Sequence, residues 1–86
     1  MKVAGIEIRG RLPRGRRFLE LLRLLEKAQK LNVPSWDDDP EWRVWVKFRR
    51  CYFPVRIRAI SREVARREVE KQLGVEAYVE EECLCQ

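Results

Sequence analysis

The chain contains no histidine and no threonine, a single asparagine (Asn32) and, tyrosines aside, only Ser35 and Ser61 as hydroxyl side chains. Without an imidazole the usual nucleophile–base pairs cannot be assembled. Ser61 is placed where a helix needs its N-cap, and no base flanks any cysteine, so the expectation is a noncatalytic protein. Cysteine itself is sparse. Cys51, Cys83 and Cys85 cannot form an even disulfide framework, and with no histidine they fall short of a four-ligand zinc site. No metal and no cofactor is expected. Cys83 and Cys85 flank Leu84 and should leave a strand on one side as inert thiols; an intermolecular disulfide or shared metal in a dimer is the alternative. There is no Gly-Lys-Ser/Thr sequence, hence no Walker loop, and no small-molecule substrate is expected. Nor does any apolar run approach the ~20 residues that span a bilayer. Met1 to Gly10 lacks the build of a signal peptide. A cytoplasmic protein with no membrane partner is the expectation.

What the chain does have is charge. Its 86 residues, enough for a single small domain spanning 1–86, include 19 Lys and Arg against 14 Asp and Glu, for a net charge of +5. Such a balance favours anionic partners: nucleic acid, a ribonucleoprotein or an acidic protein patch. High arginine and glutamate with few amides is also a composition common in thermophiles.

Hydrophobic periodicity lays out the elements. From Trp42 to Ile60 the chain reads as two strands with unlike faces. Trp42, Val44, Val46 and Phe48 oppose Arg43, Trp45 and Lys47, and then Phe53, Val55, Ile57 and Ala59 oppose Arg56 and Arg58. A period of two with one apolar face describes a sheet packed on one side and wet on the other. Val3 to Arg9 alternates in the same way and reads as a first strand; Val75 to Glu82 reads as a last one. Between them, Phe18, Leu21, Leu22, Leu25 and Ala28 recur at helical spacing over Arg16 to Leu31. A second helix is expected from an N-cap at Ser61 to a terminating Gly74, with Val64, Ala65, Val69 and Leu73 as its stripe. Asn32 to Glu41, with Pro34, Pro40 and three aspartates, must be a loop.

The order is β-α-β-β-α-β, an α+β chain of the ferredoxin-like split βαβ type. Right-handed crossovers then predict a four-stranded antiparallel sheet in spatial order 4-1-3-2 with both helices on one face. Pro54 sits awkwardly there. It falls near the start of a central strand, so a bulge or a late strand start is expected. The same order puts Cys51 and Cys83 at opposite ends of the sheet, too far apart for a disulfide.

Four constellations carry the functional expectations. On the wet face, Arg43, Lys47, Arg56 and Arg58 would hold phosphates while Trp45, with Tyr52 as an adjunct, stacks on a base. The face should grade from acidic (Glu76, Glu80, Glu82) through Glu7 and Arg9 to basic at Arg43, Trp45 and Lys47. Cross-strand charge pairing, such as Glu7 with Arg56 or Arg58, is the competing use of these residues. In the loop containing Arg9, Arg11, Arg14, Arg16 and Arg17, cations surround a helix N-terminus whose dipole they oppose; Arg14, Arg16 and Arg17 would clamp a phosphate. On the first helix, Leu19, Leu24 and Leu31 widen the apolar arc beyond one sheet contact and mark a protein or dimer interface. The alternative cover is the loop at Pro34 and Trp36. Asp37, Asp38, Asp39 and Glu41 lack the spacing of a calcium loop and read as a solvated turn.

A basic, aromatic-bearing open sheet on this topology resembles the RNA-recognition-motif domains. Those carry aromatics on the first and third strands, where this chain has Gly5 and Glu7 and then Arg56 and Arg58, so the likeness is one of topology and assigns no residues. Two functions follow as expectations. The first is a noncatalytic nucleic-acid-binding protein, RNA ahead of DNA, with a ribonucleoprotein as its setting. The second is a small protein-binding adaptor or inhibitor, viral or plasmid-borne, acting as a dimer through the first helix or a sheet edge.

Overall fold

The structure, a computed structural model, describes residues 1–81. Along them run β1 (Lys2–Val3), β2 (Ile6–Glu7), β3 (Arg9–Gly10), α1 (Arg16–Gln29), β4 (Glu41–Phe48), β5 (Cys51–Arg58), α2 (Arg62–Leu73) and β6 (Ala77–Val79). The readings made of Glu82, Cys83 and Cys85 lie outside these residues.

The chain is α+β, with two helices and two antiparallel sheets. The first expected strand is divided. Ala4 (φ 53°) and Gly5 (φ 81°) both adopt the left-handed region, and Val3 pairs with Ile6 across them. Positive φ at both central residues is what the type I′ two-residue hairpin turn requires. Alanine seldom takes that conformation, which is why simple alternation runs straight through the turn. Only Arg9 and Gly10 go on to join the main sheet, against Tyr52 and Cys51.

That sheet has the order β3-β5-β4-β6. The last strand lies beside β4, not beside the first strand, so the expected 4-1-3-2 order is corrected and the likeness to RNA-recognition motifs stops short of the strand order. The cause lies in the edges available. β3 is too short to template an outer neighbour, whereas β4 offers a full-length ladder. Lys47 N donates to Glu76 O at 3.0 Å and Glu80 N to Arg43 O at 3.1 Å. Both crossovers now step in one direction across the sheet from oppositely directed strands. With both helices on one face, the two crossovers must have opposite hands, an arrangement that parallel connections rarely adopt.

Pro54 is accommodated without a bulge. It pairs in register with Trp45 inside β5. The β6 bonds turn the odd-numbered polar groups of β4 outward, so β4 meets β5 through its even-numbered residues and Pro54 N faces the β3 side. Pairing with β3 has already ended at Arg9–Tyr52, so no ladder bond is missing.

The apolar faces of β4 and β5 bury Val44, Val46, Cys51, Phe53 and Ile57 against Leu21, Leu24, Leu25 and Ala28 of α1 and Ala65, Val69 and Leu73 of α2. α2 begins and ends as its sequence predicts. Ser61 Oγ accepts from Val64 N at 3.2 Å, and Gly74 closes the helix at φ 70° with its N–H on Glu70 O at 2.8 Å. α1 stops at Gln29, ahead of the expected Leu31, because its last turn tightens: Lys30 N bonds Lys27 O at 3.0 Å. Gln72 Nε2 then ties Asn32 O at 2.8 Å, fixing the exit of α1 to α2.

Candidate nucleic-acid interface

Strand register places the polar side chains of the open face in rows. One row runs Arg9, Tyr52, Lys47; the next runs Pro54, Trp45, Tyr78; a third pairs Arg56 with Arg43. All five residues expected to form the sheet-face site (Arg43, Trp45, Lys47, Arg56 and Arg58) are on this face.

Their electrostatic surroundings differ from the expected gradient. Because β6 borders β4, its glutamates meet the cations of β4 directly: Arg43 lies 3.5 Å from Glu80 and Lys47 lies 3.9 Å from Glu76. Arg56 reaches Glu41 at 3.8 Å, and the Arg58 guanidinium donates to the Asp37 carbonyl. Glu7 pairs with the N-terminal amine at 3.3 Å, not with Arg56 or Arg58. These are partly exposed pairs, each worth about 0–1 kcal/mol. Trp45 is half-buried. Its Nε1 donates to Glu80 Oε1 at 2.9 Å, and the Arg9 guanidinium lies 4.8 Å from its ring centroid. Glu7, Arg9, Arg43, Trp45, Pro54 and Arg56 line a shallow depression of about 320 Å³ around it.

The arginine-rich loop is held to the β4–β5 hairpin. Gly10 pairs with Cys51, and Arg11 N donates to Arg50 O at 3.0 Å. Gly10 has φ 92°, and a Cβ there would sit 2.3 Å from Arg50 O, so only glycine permits the approach. Arg9, Arg11 and Arg50 are thereby gathered at one end of the sheet. Arg14, Arg16 and Arg17 are exposed and lead into α1, whose first turn has no acidic residue and no side-chain cap. Among the described residues, no carboxylate lies within ion-pair distance of Arg9, Arg11, Arg14, Arg16, Arg17 or Arg50. Arg50 was missed by sequence reasoning, since only the β3–β5 register brings it to the loop.

The expected interface on α1 is corrected at Leu24, which is 6% exposed and belongs to the core, while Leu31 is half-buried. Leu19 alone of the three is exposed, at 57%. Trp36 is 75% exposed and therefore does not cover the helix; Val33 is the loop residue that packs on the core. The acidic loop closes on itself, with Trp36 N donating to Asp39 Oδ2 at 2.8 Å. Among the described residues no cluster of carboxylates or thiols is arranged to hold a metal, and no helix is long and apolar enough to cross a membrane. Cys51 is fully buried; its Sγ lies 3.1 Å from Phe48 O, and burial pushes its pKa up.

Tyr78 is the other residue whose place sequence reasoning missed. Alternation sets it on the wet face, but its position next to Trp45 follows from the pairing of β6 with β4. Together these features define a small α+β protein with helices on one face of its sheet and an open, aromatic-bearing polar surface on the other. Comparison with protein-family models, with curated proteins and with solved structures yields no match.

Proposed function

We propose that this chain is a noncatalytic nucleic-acid-binding protein, RNA ahead of DNA, which works without a cofactor. The observation that carries the reading is the seam between β3 and β5, which gathers Arg9, Arg11 and Arg50 with no carboxylate within ion-pair distance of them among the described residues. Arginine donates in a planar fork that matches phosphate, and clustered cations gain affinity for a polyanion by releasing its counterions. Arg14, Arg16 and Arg17 extend this surface. Arg43, Lys47 and Arg56 are secondary contacts, because each must first exchange a carboxylate for phosphate. Arg58, bonded to a backbone carbonyl, stands with them.

The test is fluorescence anisotropy of labelled single-stranded RNA, single-stranded DNA and duplex DNA across a salt series. Binding should weaken steeply with salt. The double substitution Arg11→Glu, Arg50→Glu should lower affinity at least tenfold and reduce the salt slope by about 2, one per lost phosphate contact. Arg43→Glu should act more weakly. Absence of binding at low salt would retire the reading.

A protein-binding adaptor is the second reading, and one observation favours it. Trp36 and Ile60 are both exposed and, with Pro34, Ser35 and Asp39, line a depression of about 340 Å³. Exposed apolar surface of this kind marks contacts with other proteins. Sedimentation of the wild type beside Trp36→Ala tests self-association through that patch.

A further inference from the structure

We infer that the open face is a stacking platform for unpaired bases, so that the ligand is single-stranded. This rests on the nucleic-acid reading above. Three aromatic side chains cross the sheet on adjacent strands: Tyr52 on β5, Trp45 on β4 and Tyr78 on β6. Trp45 stands directly opposite Tyr78, and Tyr52, paired with Lys47, is its diagonal neighbour. Tyr52 is 41% exposed and Tyr78 59% exposed, and both belong to one depression with Trp45 and Lys47 that Glu76 and, from α2, Glu70 close at the β6 edge. Neighbouring strands are about 4.8 Å apart, so the two tyrosines stand on strands two spacings apart with Trp45 between them.

Folding alone does not motivate this row. The core lies on the opposite face, and neither tyrosine hydroxyl has a hydrogen-bond partner among the described residues. The central ring is held in place: Arg9 covers the Trp45 indole and Glu80 accepts its N–H. Trp45 is thus a positioning residue, and the freer phenols on either side are the stacking groups. A platform of aromatics takes every base by its π-face, whereas a duplex hides those faces inside its own stack.

Charge orients the ligand. The end at Arg11 and Arg50 is cationic, and beside Arg9 the carboxylate of Glu7 is paired with the N-terminal amine, while Glu76 and Glu80 flank Tyr78 on the far edge. Phosphates therefore track along the β3–β5 side and the bases point across towards β6. The carboxylates of β6 repel a backbone there and end the site. A second protein is a poorer occupant. The exposed groups on this face are rings and charges with no aliphatic patch, and the surface is cationic where a chain enters.

The experiment measures affinity for four 12-nucleotide probes at one salt concentration: single-stranded RNA, single-stranded DNA, an abasic strand with the same phosphates, and a duplex. The two intact single strands should bind at least tenfold tighter than the abasic strand and the duplex. RNA against DNA then reports whether the sugar is read. Tyr52→Ala and Tyr78→Ala should each weaken single-strand binding roughly 5- to 100-fold, leave abasic and duplex binding within twofold, and be rescued by Tyr→Phe. Circular dichroism and melting of each variant separate lost stacking from lost fold. Equal affinity for all four probes, with no effect of the tyrosines, would overturn the platform and leave the arginine seam standing. Failure of every probe to bind would overturn both.

Discussion

The guanidinium of Arg9 lies over the indole of Trp45, 4.8 Å from its ring centroid, although the two residues sit on strands separated by β5. Arg9 thus reaches across the face above Pro54 and Tyr52. A cation over tryptophan at a partly exposed site contributes about 0.5–1 kcal/mol. Arg9→Ala should lower stability by about that much in urea unfolding. A double-mutant cycle with Trp45→Leu should assign most of the loss to the pair.

Gly10 is the closest approach between the arginine loop and the hairpin. Gly10→Ala combines a left-handed φ with a Cβ 2.3 Å from Arg50 O. The expected cost is ~1–3 kcal/mol, visible as a lower melting temperature. Because β3 must move, nucleic-acid affinity should fall too, and by more than Arg11→Ala alone produces.

Leu19 and Leu24 differ in what surrounds them, not in type. Leu24→Ala opens the core and should cost ~2–5 kcal/mol. Leu19→Ala should stay within about 0.5 kcal/mol. Urea denaturation of both variants checks the correction made at Leu24.

Burial raises the pKa of Cys51, so the folded chain keeps a proton that the unfolded chain releases. The stability this contributes is fully present below the unfolded thiol's pKa and is lost as pH rises through the folded value. Urea midpoints should therefore fall in the alkaline range, and less so in Cys51→Ala. In a Cys83→Ser, Cys85→Ser background, iodoacetamide should label Cys51 only as the protein unfolds.

Local features were legible in the chain because local physics decides them. Ser61 and Gly74 bound α2 since a hydroxyl acceptor and a left-handed residue are needed at those two places. The alternation from Trp42 onward separates Val44, Val46 and Phe53 from Arg43, Trp45 and Arg56, because a pleated strand leaves no other choice. The Ala4–Gly5 turn was not legible, since alanine carries little turn signal. Leu24 was misassigned because helical periodicity gives the angle of a side chain but not how far the neighbouring layer extends.

The sequence by itself thus determined the α+β class, the run of elements from α1 onward, the two faces of the central hairpin and the wealth of arginine near the start of α1. Only the tertiary structure decided that β6 lies against β4. Strand order depends on which edge has enough free backbone groups to complete a ladder, and here β3 is two residues long while β4 has eight. That one choice set Glu76 and Glu80 against Lys47 and Arg43, brought Tyr78 beside Trp45, and left the cations around Arg9, Arg11 and Arg50 as the exposed positive end.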